Sequence, residues 1–407
     1  MKIQAFNFMN SLFLILFILQ VIVYIYMTIT SLYIFIFAVA SLFPYKRTFR
    51  KVTNYRKFAV LIPCYQEDEV IIGVIEDALH HNYPDFDLVV IADNFSEETI
   101  QRIQHLPIIL FSEKFDISTK TRAINFALRN LPDNKYDAVV ILDGDNLMKD
   151  DFLLKVNASF DEGFVAIQGH RIAKNTNTRF ALLDAVSEEI NNSIFRKGHR
   201  VIGLSSALIG SAMAFKYDFF KKLMSNIEVV GGFDKLLELT LLKDKYKIEY
   251  LPDAYVFDEK VQNAKVFTKQ RRRWLSAQFH YFGIFFIPSL KALLFHGNID
   301  FFNKAFQHVQ LPRILLVGLL FFISIISLIF NTLFFKIAWV VSFFLAILAL
   351  LFSVPRRFYN FQTLKAMAYL PAGFLFMAIS LLRIRGANKH FIHTKHTYNA
   401  FQIKRHK

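Results

Sequence analysis

Residues 11–43, SLFLILFILQVIVYIYMTITSLYIFIFAVASLF, contain no formal charge. As a helix this stretch extends about 50 Å, against a bilayer hydrocarbon core of about 30 Å. It is expected to span a membrane with tilt or overhang. The AVAS at Ala38–Ser41 imitates a signal-peptidase site, but the apolar run before it is far too long for a signal peptide, which favours a retained anchor. Lys46, Arg47, Arg50, Lys51, Arg56 and Lys57 follow at once. Basic flanks stay on the cytoplasmic side, so the middle of the chain is expected there, in an integral protein of the plasma (inner) membrane.

The other end is also apolar. Residues 314–335, 337–353 and 364–382 qualify as spans. Before them, 279–295 (FHYFGIFFIPSLKALLF) is short and carries Pro288 and Lys291, which suits an amphipathic helix at the interface. Arg356 and Arg357 suggest a cytoplasmic loop. Three crossings would then leave the tail outside, although Arg383, Arg385, Lys389, Lys395, Lys404, Arg405 and Lys407 argue for inside. Either 279–295 also crosses, or 364–382 is re-entrant, or the charge rule fails here. The expected organisation is an anchor (1–45), a domain of catalytic size (46–275), interfacial amphipathic helices (276–313), C-terminal spans (314–383) and a basic tail (384–407).

Charge and cysteine narrow the partners. The formal net charge is +15. Cytoplasmic flanks of membrane segments and contacts with membrane lipids absorb much of that excess. No recognition motif accompanies it, so nucleic acid is not an expected partner. The single cysteine, Cys64, excludes an intramolecular disulfide and a multi-thiolate zinc site.

From Phe58 the pattern changes to short β-rich runs alternating with helical stretches. FAVLIP, DLVVIAD, PIILFS and DAVVILD read as strands, and VIIGVIEDALHH and KTRAINFALRNL as helices. This order predicts a mixed, mostly parallel sheet with helices on its faces. Ligands of such sheets bind at the carboxyl ends of the strands. Those ends carry Glu67 and Asp68, Asp93, and Asp143 with Asp145. There is no GxGxxG after a strand and no GxxxxGK[ST] loop, which argues against a dinucleotide enzyme and a P-loop NTPase. DGDNLM fails as a calcium loop, because Leu147 and Met148 sit where a ligand and the turn glycine belong. GLSSA at Gly203–Ala207 lacks the second glycine of a nucleophile elbow.

Each polar cluster has two readings. Asp143-Gly144-Asp145 is a turn, or a carboxylate pair facing one way and able to hold Mg2+ or Mn2+, with Gly144 letting a diphosphate approach. Asp93 is a turn or cap residue, or a ligand-binding one. Lys120 and Arg122 lie on a solvated helix face or pair with phosphate. QRRRW at Gln270–Trp274 is a juxtamembrane anchor, or a diphosphate clamp with a stacking indole. His390, His393 and His396 recur at steps of three, in metal-like spacing or as part of a basic interfacial tail.

Taken in order, these segments resemble the membrane-embedded family 2 glycosyltransferases, the branch that includes cellulose, chitin and hyaluronan synthases and ceramide glucosyltransferases. LIPCYQEDEVI resembles the opening strand and loop, which implies nucleotide contacts from Pro63, Tyr65 and Glu67. VVIADN resembles the strand of the nucleotide-binding aspartate, implying that role for Asp93. KTRAIN resembles the KGxALN segment, giving Lys120 and Asn125. LDGDN resembles the metal-binding D-x-D, giving Asp143 and Asp145. LIGSAMAF resembles the acceptor-side GSGMAF strand, and FIHTKH the short motif after the last span. QRRRW matches Q-x-x-R-W, giving Gln270, Arg273 and Trp274. The resemblance implies a GT-A type domain. It also implies metal-dependent, inverting transfer of a sugar from a nucleotide diphosphate sugar, UDP-linked, to a growing polysaccharide or membrane-associated acceptor.

One motif departs from the pattern. The expected E-D or T-E-D before a helix reads GGFDKLLELTLLK, with Leu236 at the aspartate position. Glu238 is the expected base, with Asp234 one helical turn earlier as the other candidate. A non-processive lipid glycosyltransferase acting on a polyprenyl-phosphate or ceramide-like acceptor remains an alternative. A catalytically inactive membrane partner subunit is a further one.

Overall fold

The computed structural model describes residues 2–45, 52 and 54–384, except for the side chains of residues 2–10 and Lys265. The basic residues Lys46, Arg47, Arg50 and Lys51, the FIHTKH motif, the tail histidines and the tail cations beyond Arg383 lie outside the described residues.

The first strands form where apolar residues run without alternation, as in FAVLIP and AVVI, the pattern of a sheet covered on both faces. The strands are β1 (Phe58–Tyr65), β2 (Phe86–Asp93), β3 (Ile109–Glu113), β4 (Ala138–Ile141), β5 (Leu147–Met148), β6 (Ala166–Ala173), β7 (Met213–Lys216) and β8 (Ile248–Asp258). They make one sheet in the order β3-β2-β1-β4-β7-β6-β8-β5. β3, β2, β1 and β4 are parallel, β7 is antiparallel to β4 and β6, and β8 runs parallel to β6. This is the expected mixed sheet of GT-A type.

Alternate residues of β1 and β2 feed two cores. Ala59, Leu61, Val89 and Ile91 pack with the helix Lys120–Asn130 on one face. Phe58, Val60, Ile62, Leu88 and Val90 pack with the helices Ile71–Leu79 and Phe152–Asp161 on the other. Each fully buried side chain of this kind is worth about 1.5–3 kcal/mol over exposure. The parallel register sets Tyr65 beside Asp93. The carboxyl ends of β1, β2 and β4 therefore share one edge, where Tyr65, Asp93 and the turn beginning at Asp143 meet.

Among the described residues, four helices are long and apolar enough to cross a membrane: Ser11–Leu42, Val266–His296, Arg313–Phe330 and Leu333–Ser353. A fifth span is possible if the pair Phe361–Met367 and Leu370–Leu382, bent by 48°, counts as one. The single run expected at 364–382 divides because Pro371 sits in the first turn of the second helix, where it cannot continue the preceding one. The expected interfacial helix is not separate either. It is the distal part of Ala264–His296, whose start is capped by Asn263, accepting from the Val266 amide at 3.0 Å. QRRRW therefore lies in the early turns of the same helix, which runs across the boundary expected at residue 275.

The N-terminal helix Lys2–Leu42 packs along Leu333–Ser353 through Tyr24 on Trp339 and a Thr28–Ser342 hydroxyl bond of 2.9 Å. It also docks on the sheet domain. The π-helical turn Asn192–Gly198 meets it so closely that a Cβ on Gly198 would lie 2.2 Å from the Phe37 carbonyl oxygen. Just past the helix, the Tyr45 hydroxyl donates to Glu249 on β8 at 2.7 Å. Gly198→Ala should force these elements apart and cost about 1–3 kcal/mol. Thermal unfolding of the purified protein in detergent will show the lowered midpoint, whereas an unchanged midpoint would mean that the anchor does not bear on this turn.

Candidate active site

The site begins with the turn after β4. The Asp143 amide donates to Asn146 Oδ1 at 3.1 Å, and the Asn146 amide to the Asp143 carbonyl at 3.0 Å. A Cβ at Gly144 would meet Cys64 Sγ at 2.9 Å and Glu67 Cγ at 3.3 Å. The close approach that requires glycine here is therefore to the β1 loop, not only to a diphosphate.

Asp143 and Asp145 converge with a third carboxylate, Asp258 at the end of β8, with ligand oxygens all within 4.8 Å of one another. Asp258 closes the run YVFD, an apolar strand ending on an acid like DAVVILD, and that signal could have found it. Asp145 is buried and accepts from the Glu259 amide at 2.6 Å and from Asn146 Nδ2 at 3.1 Å. These donors are all hard oxygens, the set that suits Mg2+ or Mn2+, so the residues fit a divalent ion.

Three cations hold the acids together. Lys120 binds the Asp143 carboxylate and the Gly210 carbonyl, the latter at 2.7 Å. It occupies the first helical position after the cap Thr119. A cation there opposes the helix dipole, and this contact supplies the reason for it. Arg171 Nη1 lies 3.4 Å from Asp258 and 3.8 Å from Asp143. Its other nitrogens grip Glu188 at 3.0 and 3.2 Å. Lys260 joins Asp258 at 2.6 Å and also binds Glu188. Burial works against the Glu188 charge, but Arg171 and Lys260 hold its carboxyl well below the usual range. Arg171, Glu188 and Lys260 belong to no local motif. Only the fold brings them to the site.

Across a cleft of about 470 Å3 stand the helices Phe233–Lys243 and Ala264–His296. Of the residues expected at the site, Pro63, Tyr65, Glu67, Asp93, Lys120, Asp143, Asp145, Asp234, Glu238, Gln270, Arg273 and Trp274 all line this cleft. Asn125 does not. Its Nδ2 donates to the Ile227 carbonyl at 3.0 Å and fixes the loop leading to Gly231 and Gly232. Asp93 is buried, and burial raises its carboxyl despite bonds from Ser118 and the Phe115 amide. Arg273 interacts electrostatically with both Asp143 and Asp234, bridging the two walls. Gln270 Oε1 is buried without a protein partner. Trp274 is covered on one face by Arg271, 4.2 Å from the ring centroid.

The two candidate bases differ in environment. Glu238 is 2% exposed, paired with Lys304 Nζ at 2.6 Å and bonded by the Leu208 amide at 3.2 Å. Burial raises its carboxyl, and Lys304 only partly opposes this. Burial likewise lowers the Lys304 ammonium against the pull of Glu238. Asp234 sits in the first turn of its helix, more open, with Lys235 Nζ at 3.8 Å. It faces Gly210, whose carbonyl holds Lys120.

Two buried histidines lie within electrostatic reach of Lys304, the partner of Glu238. Burial, helped by Lys304, pushes the His308 imidazole down to about 3. Burial pushes His199 down to about 3 as well, stacked on Phe37 at 3.7 Å.

A GT-A type sheet whose carboxyl edge gathers an acidic triad opposite a Q-x-x-R-W helix defines a glycosyltransferase. Residues 56–277 match the family model described as Glycosyltransferase like family 2, and the chain belongs to that family. A curated relative, the probable glycosyltransferase YdaM of Bacillus subtilis (strain 168), is 24% identical over 316 residues, covering 71% of this chain and 72% of that protein. Among solved structures, the mannosyltransferase PcManGT from Pyrobaculum calidifontis, in complex with GDP-Man and Mn2+, is 17% identical. The match covers 79% of this chain and 94% of that one, with a TM-score of 0.47. S. aureus TarS 1–349 in complex with UDP-GlcNAc is 16% identical over 82% of this chain and 90% of its own, with a TM-score of 0.38.

The histidines give a pH dependence. Their folded values near 3 lie below the unfolded value of about 6.5. The stability they confer is complete above about pH 6.5 and is lost as pH falls toward 3. Each loses up to about 1.4 kcal/mol per pH unit. Melting temperature should fall across that range, and His308→Asn should flatten the acid limb. An acid limb as steep in the variant as in the parent would contradict this account.

Proposed function

We propose that this protein is an inverting, metal-dependent transferase that moves a sugar from a UDP-linked donor to an acceptor at the membrane. The acceptor is a growing polysaccharide or a membrane-associated molecule. The observation that carries this reading is the convergence of Asp143, Asp145 and Asp258 at the carboxyl edge of the sheet, facing Arg273 and Gln270 across the cleft. Asp93 and the loop from Pro63 through Tyr65 to Glu67 hold the nucleotide. Asp145, Asp143 and Asp258 would hold Mg2+ or Mn2+. When bound, the ion supplies positive charge to the leaving diphosphate. Lys120 and Arg273 add fixed positive charge on the same side, the electrostatic contribution that usually dominates such a barrier.

In the reacting geometry the acceptor oxygen forms a bond to the anomeric carbon from the face opposite the diphosphate. The bond from that carbon to the diphosphate oxygen breaks, and the nucleotide diphosphate leaves. The acceptor hydroxyl's proton passes to a carboxylate. Glu238 and Asp234 remain the two candidates, and the environments favour Asp234. The Glu238 carboxylate is already taken by Lys304 and the Leu208 amide, while Asp234 is more open to the cleft. Lys304 and Glu238 then serve as the floor that fixes the Phe233–Lys243 helix. Arg56 and Lys57, which follow the anchor, support a cytoplasmic catalytic domain. Protease added outside sealed, right-side-out vesicles should therefore leave residues 54–263 uncut, and cleavage there would reverse the orientation.

Purified protein in detergent, screened against nucleotide sugars for released nucleotide, tests the chemistry. Asp145→Asn should abolish metal-dependent release. Asp234→Asn should lower turnover about 10²–10⁴-fold, as expected for loss of a general base. Persistence of metal-dependent turnover in Asp145→Asn would remove the metal role. A full rate in Asp234→Asn with loss in Glu238→Gln would return the base to Glu238.

A second reading, a non-processive lipid glycosyltransferase, is favoured by one feature: a large apolar cavity among the spans that shares its wall with the catalytic cleft.

A further inference from the structure

That cavity measures about 1470 Å3, three times the volume of the catalytic cleft. Most of its wall is hydrocarbon, including Val317, Phe321, Phe343, Leu350, Phe374 and Leu375. These residues come from the apolar helices, so a hydrocarbon chain can lie along this part of the wall in apolar contact.

One end of the cavity is different in kind. Arg271 and Arg313 both line it, and among the described residues of its wall Asp184 is the only acid. Asp184 is already paired with Arg271. Arg313 forms no ion pair among the described residues. Its Nη2 donates to the Ser187 carbonyl at 3.2 Å and to the Ser187 hydroxyl at 3.3 Å. Its guanidinium lies 5.8 Å from the centroid of Phe195. Nη1 is buried and has no partner. Gln310, three residues earlier in the chain and 5% exposed, lines the same cavity and has an unpartnered Nε2. An uncompensated charge withdrawn from water is costly, and two buried donors on the wall of one cavity suit an acceptor with several oxygens. A guanidinium edge with an amide beside it suits phosphate oxygens.

The cationic end also adjoins the catalytic cleft. Asn191, Phe195, Trp274, Gln278 and Gln307 line both spaces. Gln278 Nε2 holds the carbonyls of His308 and Gln310 at 3.2 and 2.8 Å, fixing the Gln310 segment against the helix that carries Trp274. A molecule with its tail among the spans and its phosphate at Arg313 would extend its head past Trp274 toward Asp234.

We propose that this cavity binds the acceptor, a lipid in which a phosphodiester or diphosphate joins the hydrocarbon tail to a hydroxyl-bearing head. This deepens the glycosyl-transfer reading and rests on it. The tail lies along the apolar wall, the phosphate is held by Arg313 Nη1 and Gln310 Nε2, and the head's hydroxyl is the nucleophile. Its oxygen bonds to the anomeric carbon, its proton goes to the carboxylate in the cleft, and the nucleotide diphosphate departs. Arg313 and Gln310 bind the acceptor and touch no reacting bond.

The test separates binding from turnover. The full chain in detergent is incubated with four probes, and bound lipid is read by native mass spectrometry: phosphatidylglycerol, a polyprenyl diphosphate monosaccharide, neutral diacylglycerol, and water-soluble glycerol phosphate. At least one of the two phosphate lipids should be retained, with diacylglycerol and glycerol phosphate retained at least tenfold less. Arg313→Gln should weaken retention tenfold or more, and Arg313→Lys should restore part of it. Gln310→Ala gives a second, milder variant should Arg313→Gln fail to fold, and nucleotide binding reports the fold in each case. With a labelled donor, label should enter the organic-soluble lipid. Equal retention by Arg313→Gln, equal retention of diacylglycerol, or retention of neither phosphate lipid would overturn the proposal. If these failures occur while Asp145-dependent nucleotide release persists, only the lipid site falls. If no donor releases nucleotide, the transferase reading falls instead.

Discussion

Three carboxylates held within 4.8 Å of one another repel strongly, and most of the sheet domain is arranged to tolerate that repulsion. The parallel register of β1, β2 and β4 brings one wall of the site to a common edge. β8, paired parallel to β6, carries Asp258 to the same place. The cations come from three further elements: Lys120 from a helix start, Arg171 from β6, and Lys260 from the segment after β8. Glu188 then restrains two of those cations from the helix Arg179–Asn191. Moving any of these elements leaves a like-charge cluster uncompensated, so the site and the sheet order depend on each other.

The same helix Arg179–Asn191 belongs to two environments. Glu188 and Glu189 face the sheet domain, Asp184 pairs with Arg271, and Ser187 accepts from Arg313 at the start of an apolar helix. The π-helical turn that continues it presses on the N-terminal helix at Gly198. The sheet domain and the apolar helices are thus joined through short polar contacts as well as through chain connectivity, and the apolar cavity lies along that joint.

Much of this was legible in the sequence, because the first half of the sheet is written in uninterrupted apolar runs. FAVLIP and DLVVIAD become β1 and β2, and the acids at their ends fall where α/β sheets place ligands. DGDN and QRRRW, far apart in the chain, line one cleft. The less legible parts share a physical cause: they depend on partners distant in sequence. Asp258 has a local signal, but Arg171 and Lys260 are isolated charges until β6 and β8 pair. Asn125 looked like a site residue on motif grounds, yet its helix turns it toward the Ile227 carbonyl. The pairing of Glu238 with Lys304 reaches across 66 residues of chain to a helix that no motif marks. Periodicity also missed the continuity of Ala264–His296, because a charged cluster and an apolar stretch look like two elements when they are read separately.

That continuity has a mechanical side. Gln270, Arg273 and Trp274 ride on the same rod as the apolar stretch from Phe279 to Phe295. Pro288, the point where a backbone donor is missing, lies toward the far end and leaves the stretch from Asn263 through Phe286 without a hinge residue of that kind. A rod of this length, about 50 Å, swings its end by roughly 4 Å for a 5° change in inclination. The spacing between Arg273 and the acids of the sheet is therefore also a measure of how this helix leans.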